Sequence, residues 1–533
     1  MDSQTRGANG PTQSEGHDFA MQTIDRNNDD TSSTKNMAGD TSTRENTNQD
    51  AVAGSSSDLE SRKLSTHEDT DDKIVWWDGP HDPENPYNWP NWRKFLNCGL
   101  ISIMTLVSAL GSSIFAPAVP DVMAEFGSTS LTTASFVVSV YVLGYASGPL
   151  LLAPLSEIYG RVIIYHICDL CFVLLSVGSA LAPTMSSLIA IRFFAGVAGC
   201  APVTNGGGSI ADMVLPEHRG IAMAMYSVAP LAGPIIGPIV GGFVAESLGW
   251  RWTFWILSIV AGVVSLIMLF SLKESYAYVI LSRKTARLQK ETGDSELRSK
   301  LDSGLSPTDH FKRGIIRPIR MAMQSPIILI TSIYMATSYG YLYLMFTTMT
   351  SVFEDTYGFS SGLVGLAYLG LGTGSMIGVV YTSLTSDKHL KQKDGQSPPR
   401  PEQRLVNLPL GAILLPCGLF IYGWTAQYHV HWIVPILAHI PVGLGIQLIF
   451  FSIQVYIIDA FTSYAASALA CNTVIRSMFG ALLPMAGLPM FSNLGLGWGN
   501  STLGFIALIM IPVAFVLIKR GEYLRKRYTL KDI

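Results

Sequence analysis

The sequence predicts an all-α, polytopic membrane protein with twelve transmembrane helices arranged as two six-helix bundles. Only 14% of its 533 residues are charged, whereas soluble proteins carry about 25%. The mean hydropathy is +0.32, and long apolar runs recur along most of the chain. Because about 20 apolar residues span a bilayer as a helix, the lipid bilayer is the first expected partner.

A polar, acidic segment, residues 1–75, precedes the first apolar run. It is rich in Ser, Thr, Asn and Asp and poor in aliphatic residues, a composition that does not bury a core. We expect a disordered cytoplasmic tail without a cleavable signal peptide, since no apolar h-region opens it. Residues 76–94 combine Trp, Pro and Tyr with a basic end, which predicts a juxtamembrane segment whose rings lie at the interface.

Two groups of six apolar runs follow, within residues 95–272 and 326–519. The runs cover roughly residues 95–117, 133–155, 162–182, 187–211, 221–246, 251–272, 326–350, 361–384, 405–424, 432–458, 465–490 and 499–519. A polar segment, 273–325, separates the groups, and a short tail, 520–533, follows the second. An even number of spans places both termini on one side of the membrane.

Basic residues indicate which side that is. Lysine and arginine concentrate in the 273–325 segment, in the loop between spans 8 and 9 and at the C-terminus, whereas the opposite loops carry only Arg251. Cytoplasmic loops carry such an excess, so we expect both termini and the 273–325 loop to be cytoplasmic. On the opposite face, Asn500 begins an N-x-[ST] sequon and is a glycosylation candidate.

The two groups also share a pattern of residues at the end of their second run. A glycine, an acid and a base recur at the same offsets, as Gly148, Glu157 and Arg161 and as Gly378, Asp387 and Lys391. An ordinary solvated turn explains either set alone. The repeated offsets instead suggest one six-helix unit used twice, as in transporters built from internal repeats.

Three motifs resemble those of the major facilitator superfamily. GPLLLAPLSEIYGR (148–161) resembles its loop 2–3 signature, LIAIRFFAGVAG (188–199) its fourth-span motif and GPIIGPIVGG (233–242) its fifth-span antiporter motif. NPYNWPNW and IRSMFGALLPMAG (475–487) are typical of its fungal twelve-span drug:proton antiporters. The resemblance covers roughly residues 76–520. It implies the major facilitator fold and export of small, largely apolar drugs, toxins or secondary metabolites across the plasma membrane in exchange for protons.

The resemblance also implies a charge network on the cytoplasmic face that locks one conformation. The corresponding charges here are Glu157, Arg161, Asp212, Arg219 and Asp387. Exposed ion pairs contribute only about 0–1 kcal/mol. A latch therefore requires a partly buried geometry that breaks when the transporter opens.

Arg192 lies in the fourth apolar run, near its outer end. A cation at that depth requires a polar cavity or a partner, and the alternative is a structural arginine that snorkels to the outer surface. In the family that this sequence resembles, the matching arginine is implicated in proton coupling. Arg192 is therefore the proton-coupling candidate.

Glycine recurs every fourth residue in the fifth apolar run. The motif consists of Gly233, Pro234, Gly237, Pro238, Gly241 and Gly242. A spacing of four places the glycines on one helix face, where another backbone can approach, and proline loosens the helix. Plain helix packing explains the same residues, and only the resemblance ties them to antiport.

Aromatic and polar residues within the spans are candidates for a substrate cavity. They are Asn205, Tyr339, Tyr343, Gln447, Gln454 and Arg476. Sites for small molecules are mostly apolar, with a few polar groups that fix orientation, but packing or lipid-facing residues look the same in sequence. The first span has no acid in its core, which argues against strict selectivity for cationic drugs.

Other classes of function lack their motifs. The sequence has no P-loop and no H-E-x-x-H, and its C-x-x-C, formed by Cys168 and Cys171, lies in an apolar run without further ligands. We expect no enzymatic activity, no metal, no cofactor besides the proton gradient, no nucleic-acid partner and a monomer. Two alternatives stay open: a polyamine or organic-anion carrier of the same fold, and a non-transporting membrane sensor or scaffold.

Overall fold

A computed structural model describes residues 73–302, 304, 306–385 and 400–528 of the chain. Residues 1–72 of the predicted disordered tail, 1–75, lie outside these residues, as do Asp387 and Lys391 of the second predicted hairpin. The last residues of that tail are instead ordered, since Ile74–Val75 form a strand. The N-terminal half contains spans 1 to 6. They are Asn91–Ser113, Leu131–Tyr159, Arg161–Ala180, Met185–Met213, Pro216–Leu248 and Arg251–Ser271. The 3-10 helix Ala116–Ala118 and the short helix Val119–Glu125 follow span 1.

The turn between spans 2 and 3 is a single residue. Span 2 ends at Tyr159 and span 3 begins at Arg161. Gly160 between them has a φ of 104°, a backbone conformation that glycine adopts without the strain of a side chain. The apolar run predicted to end in a hairpin therefore does so with no intervening loop.

The C-terminal half begins with spans 7 to 10. Span 7 is Pro326–Tyr357, span 8 is Ser361–Thr385, span 9 is Leu408–Gln427 and span 10 is Ile433–Ala460. Span 8 comprises two helices, Ser361–Ala367 and Leu369–Thr385, which meet at Tyr368. The 3-10 helices Pro401–Asn407 and Thr462–Tyr464 precede span 9 and follow span 10.

The last apolar stretch, Ala465–Arg527, contains 63 residues, about three times the length that a bilayer requires. It comprises the helices Ala465–Leu482 and Pro484–Arg527. Gly495 interrupts the second helix with a φ of 75° and a ψ of 167°. Span 11 therefore ends at the residue before Gly495, and span 12 follows it and continues into the predicted C-terminal tail. The eleven apolar stretches of the described chain thus provide twelve crossings.

Each half brings its second and fourth spans into backbone contact. A Cβ at Gly196 of span 4 would overlap the carbonyl oxygen of Tyr141 in span 2. In the other half, a Cβ at Gly374 of span 8 would overlap the carbonyl oxygen of Ile440 in span 10. Small residues at helix interfaces permit such approach. The matching contacts support the interpretation of one six-helix unit used twice.

The face that carries residues 73–90 and the end of span 12 is called the terminal face here. Toward the opposite face, the two halves are joined by hydrogen bonds. Ser139 Oγ of span 2 donates to the carbonyl oxygen of Ala481 in span 11 at 2.7 Å. The backbone N–H of Gly362 in span 8 donates to Glu246 Oε2 of span 5 at 3.0 Å. These contacts close the molecule on the face opposite the termini.

The 273–325 segment, predicted as a loop, contains two helices. They are Ala277–Thr292 and Pro307–Gln324, named here the first and second middle helices. Strand β1, Ile74–Val75, pairs in parallel with strand β2, Arg298–Ser299, and a 3-10 helix, Pro86–Asn88, precedes span 1. Residues 73–90 are therefore bound to the middle segment; together with the first middle helix they are called the clasp.

A buried ion pair holds the clasp together. The Lys284 ammonium lies 3.3 Å from Asp82 Oδ2 and 2.7 Å from Asp78 Oδ1, and the side chains of Lys284 and Asp82 are only 4% and 3% exposed. Burial raises the pKa of Asp82, but N–H groups of Asp78 and Glu84 and the ammonium outweigh it and hold that pKa below its ordinary value. Burial lowers the pKa of Lys284, but its two carboxylate partners raise it above its ordinary value.

Candidate transport site and conformational latch

Arg161 is the centre of a buried polar cluster at the terminal face. Its Nε lies 3.4 Å from Asp212 Oδ2 at the end of span 4, and its Nη1 donates to Ser156 Oγ at 2.6 Å. The guanidinium lies 4.8 Å from the centre of the Tyr276 ring, and burial raises the pKa of that phenol to about 12. The side chains of Arg161 and Asp212 are only 10% and 21% exposed, which is the partly buried geometry that a latch requires.

Glu274, which follows span 6, completes this cluster. Its Oε1 accepts the backbone N–H of Arg161 at 3.1 Å, and its Oε2 accepts that of Val162 at 3.2 Å. A carboxylate at a helix N-terminus satisfies free N–H groups and complements the helix dipole. This role of Glu274 is not visible in the sequence, because an acid after one apolar run does not indicate which distant helix it caps.

Three further residues were predicted for the latch. Glu157 is exposed and forms no ion pair with any described residue, but its charge acts electrostatically on Arg161 and Tyr276. The side chain of Arg219 and the whole of Asp387 lie outside the described residues. Asn205, predicted to line the cavity, lies beside the latch instead, because its face of span 4 packs on span 2. Its Oδ1 accepts a hydrogen bond from Ser156 Oγ at 3.1 Å.

The C-terminal half contains a related ion pair. Arg404, just before span 9, donates through Nε to Asp459 Oδ2 at the end of span 10 across 2.7 Å. The two side chains are 17% and 33% exposed. A second pair joins Arg525 of span 12 to Glu402 at 3.3 Å. Each half therefore links the start of its third span to the end of its fourth.

Arg192 lies in the core of the N-terminal half and is 1% exposed. Its Nε donates to the carbonyl oxygen of Val137 at 2.8 Å, and its Nη2 donates to that of Val138 at 3.3 Å. Three aromatic rings lie within 5.1 to 5.5 Å of its guanidinium, those of Phe115, Tyr141 and Phe254. This arginine does not snorkel to the outer surface, and span 2 carbonyl groups and aromatic faces surround its charge.

The glycines of span 5 pack against span 1 on one face. A Cβ at Gly233 would overlap Ala109, one at Gly237 would overlap Ser113 Oγ, and one at Gly241 would overlap the Ile114 carbonyl oxygen. Their neighbours face the other half of the molecule. A Cβ at Gly242 would overlap the carbonyl oxygen of Ser361 in span 8, and the Pro238 carbonyl oxygen lies against Gly365. Pro234 belongs to the same helix. Span 5 thus packs closely on both halves.

An aromatic cluster lies where the two halves meet. The rings of Tyr339 and Tyr343 in span 7 have centres 5.0 Å apart, and the Tyr343 hydroxyl donates to Ser112 Oγ of span 1 at 3.1 Å. The Arg476 guanidinium of span 11 lies 4.6 Å from the Tyr339 ring centre and 5.2 Å from that of Phe450 in span 10. Three of the predicted cavity residues, Tyr339, Tyr343 and Arg476, therefore lie close together.

The two glutamines predicted for the cavity lie on span 10. Gln447 is 4% exposed, and its methylene groups lie against Gly378 of span 8. Gln454 is half-buried. Neither side chain forms a hydrogen bond with a described residue. Gln447 thus packs inside the C-terminal half, whereas Gln454 is partly accessible.

A sequence profile described as Major Facilitator Superfamily matches residues 101–484. The chain belongs to this superfamily. MFS-type transporter tndD of Aspergillus flavipes is 51% identical to it over 461 residues, 85% of this chain and 86% of that protein. Efflux pump radE of Floropilus chiversii is 48% identical over 461 residues, 86% of each chain.

Solved structures of this major facilitator fold are similar as well. The xylose transporter XylE from E. coli, in a partially occluded inward open conformation, superposes with a TM-score of 0.60 at 15% identity and covers 79% of this chain and 98% of its own. A bacterial homolog of the human lysosomal transporter Spinster gives 0.57 at 14% identity, with 84% and 100% covered. The predicted fold is confirmed. The protein is a multi-pass membrane transporter and not an enzyme.

This major facilitator protein also contains a carboxyl group to which the sequence analysis assigned no role. Asp169, on span 3, is 1% exposed. Neither of its carboxyl oxygens has a hydrogen-bond partner among the residues that the structure describes. Buried polar groups are normally hydrogen-bonded, and an ionisable residue inside a membrane span is a candidate for function.

The glycosylation candidate does not suit this fold. Asn500 is fully buried in span 12, where its Nδ2 donates to the carbonyl oxygen of Leu496 at 2.9 Å. A Cβ at Gly423 of span 9 would touch the Asn500 side chain. A glycan requires an accessible asparagine, so the sequon at Asn500 is a packed helix segment in this conformation.

Proposed function

We propose that this transporter exports small, largely apolar organic compounds, secondary metabolites among them, in exchange for protons. The observation that carries the proposal is the cluster of Tyr339, Tyr343, Phe450 and Arg476 at the meeting of the two halves. Binding sites of transporters with internal repeats lie at that interface, near the bilayer midplane. The name of the relative radE, an efflux pump, supports export as the direction.

The orientation follows from the charges. The terminal face carries the basic 273–325 segment and the basic end of span 12, and cytoplasmic loops are enriched in Lys and Arg. We therefore place both termini in the cytoplasm and the closed face outside, with the plasma membrane as the site of export. In this orientation the structure corresponds to a state in which the outer side is closed.

The latch residues at the terminal face would act within each half of the protein. Arg161, Asp212 and Glu274 tie together span 3, the end of span 4 and the segment after span 6. Arg404 and Asp459 do the same for spans 9 and 10. Because transport requires the halves to rock against each other, these paired clusters keep each half rigid during that motion.

Proton coupling is assigned to two residues of the N-terminal half. Arg192 is the candidate from the sequence, and its contacts with Val137 and Val138 link its position to the backbone of span 2. Asp169 is the candidate from the structure, since its carboxyl group can carry a proton and has no other described partner. In this proposal the proton gradient supplies the energy for export, and no cofactor is required.

Reconstitution tests the proposal. The full-length protein is placed in liposomes with an imposed pH gradient, and uptake of a panel of apolar organic compounds is measured. We expect uptake of at least one compound that depends on the gradient and collapses with a protonophore. Absence of gradient-dependent flux for every compound, with a folded protein, would overturn the antiport mechanism. An Arg192→Ala variant that transports normally would remove Arg192 from it.

A further inference from the structure

We propose that the central site selects organic compounds that carry one anionic group, a carboxylate or an acidic phenolate or enolate, on an otherwise apolar and aromatic body. Arg476 is the residue that binds the anion. The inference rests on the proposed function, because it specifies the class of substrate for the same site.

Arg476 has no hydrogen-bonding or ion-pair partner among the residues that the structure describes. Its Nε is buried without an acceptor. The side chain as a whole is only half-buried, so its terminal amino groups reach accessible space. A guanidinium offers a planar fork of donors that matches a carboxylate. Those donors are available for a ligand.

Other deeply placed arginines differ in this respect. The Arg192 donors are taken by two backbone carbonyl groups. Arg161 is paired with Asp212 and hydrogen-bonded to Ser156, and Arg404 is paired with Asp459. Arg476 has only the faces of two aromatic rings, which attract a cation but do not satisfy its N–H groups.

No acid among the described residues forms an ion pair with Arg476. Most acids of the described spans and their extensions lie near the membrane faces. They are Asp121, Glu125, Glu157, Asp212, Glu246, Glu354, Asp355, Asp459 and Glu522. The exception is Asp169, which lies on span 3, and that span packs on spans 4 and 6 of the other half. A charge in low dielectric surroundings is costly without a counter-ion. An anionic substrate supplies that counter-ion, whereas a cationic one is repelled.

The surrounding rings define the rest of the ligand. Gly480, one turn along span 11 from Arg476, leaves room for the Tyr339 ring, which a Cβ at that position would contact at 2.9 Å. Tyr343 continues the aromatic surface toward span 1, and the Phe450 ring centre lies 5.2 Å from the guanidinium. Aromatic groups stack favourably on such rings. The site therefore fits an aromatic or extended conjugated body with its anion at Arg476.

A matched set of probes tests this inference. Binding of biphenyl carboxylic acid, its methyl ester and the corresponding biphenyl methylamine is measured on the purified, full-length protein in nanodiscs. We expect the acid to bind about tenfold tighter than the ester, and the amine to bind weakest, because a charge-assisted bidentate contact is lost in both. Arg476→Gln should reduce the preference for the acid to about twofold or less, and Arg476→Lys should retain part of it.

Arg317 provides the control variant. Its guanidinium also lies over a ring, that of Tyr464 at 4.4 Å, and its Nε is also buried without an acceptor, but it belongs to the second middle helix. Arg317→Gln should leave the preference for the acid unchanged. Thermal unfolding of each variant shows whether it is folded. If Arg476→Gln does not fold, Arg476→Lys still tests the inference.

Two results would overturn the inference. One is equal binding of acid and ester by the unmodified protein, and the other is a preference for the acid that survives in folded Arg476→Gln. If the ester nevertheless moves in liposomes under a pH gradient, the proposed export function stands while the charge preference falls. If none of the three probes and no other compound moves, the proposed function falls with it.

Discussion

Arg404 and Asp459 form an ion pair of 2.7 Å between the start of span 9 and the end of span 10. Arg161 and Asp212 form the equivalent pair in the other half, between the start of span 3 and the end of span 4. The repeat of the two halves is thus expressed as a pair of salt bridges at matching places. Both pairs are largely buried, a geometry in which loss of one partner is costly.

The latch leads to the first prediction. Asp212→Asn should destabilise the terminal end of the N-terminal half by about 1–3 kcal/mol, because the buried Arg161 guanidinium loses its carboxylate. Glu157→Gln should have a small effect, since Glu157 is exposed and unpaired among the described residues. The sequence alone would have ranked these two acids equally.

Distances between spin labels measure this effect. Labels at Leu215→Cys and Ile458→Cys, both exposed and near the terminal face in opposite halves, report the opening of that face. The background lacks the exposed Cys171 and Cys417. Asp212→Asn should shift or broaden the distance distribution. A shift of equal size in Glu157→Gln would contradict the assignment.

The clasp leads to a prediction about pH. Asp82 has a lowered pKa, so its contribution is present above its unfolded value, about 3.9, and is lost as pH falls below that. Lys284 has a raised pKa, so its contribution is present below about 10.4 and is lost as pH rises above that. A spin label at Ile74→Cys, on strand β1, should therefore be immobile between these limits and mobile outside them.

Two variants test whether the buried ion pair causes this pH dependence. Asp82→Asn should mobilise the label at neutral pH, because it leaves the buried Lys284 ammonium with the exposed Asp78 as its only carboxylate. Glu84→Gln should leave the label immobile, since Glu84 and its partner Arg287 are both exposed and such pairs contribute about 0–1 kcal/mol. Equal mobility in the two variants would argue against the buried pair.

Span 5 leads to a third prediction. Gly241→Ala should lower the unfolding temperature and slow transport, because the added methyl group overlaps the Ile114 carbonyl oxygen of span 1. Overpacking of this kind costs about 1–3 kcal/mol. Gly262→Ala in span 6 is the matched control, since the nearest atom there is 3.9 Å away. That variant should be as stable as the unmodified protein or slightly more so, because alanine favours helix.

Asp169 leads to the fourth prediction. Asp169→Asn keeps the shape of the side chain but removes the group that can carry a proton. Exchange of substrate across the liposome membrane without a gradient should persist. Uptake driven by a pH gradient should fall at least about tenfold, because loss of a group that transfers a proton typically costs that much or more. Ser176→Ala is the control, because Ser176 on the same span only donates to the Phe172 carbonyl oxygen. Gradient-driven uptake that survives in Asp169→Asn would exclude this role.

The sequence predicts the spans well because each is a continuous apolar run, and bilayer thickness sets its length. It also singles out the span 5 glycines, whose spacing of four already defines a helix face. Glu274 and Asn205 were missed or misplaced because their roles depend on which helices become neighbours. The second middle helix escaped notice because its apolar residues occupy one face only, and Asn500 matched a motif that cannot report burial.

The parallel pairing of β1 with β2 has a consequence for how the protein is observed at work. Because Tyr87 donates to the Ala211 carbonyl oxygen of span 4, the stretch that begins at Lys73 is attached to the N-terminal half. A fluorophore attached to this stretch would move together with the N-terminal half. Paired with a second fluorophore on span 12, it would turn each transport cycle into a change in energy transfer.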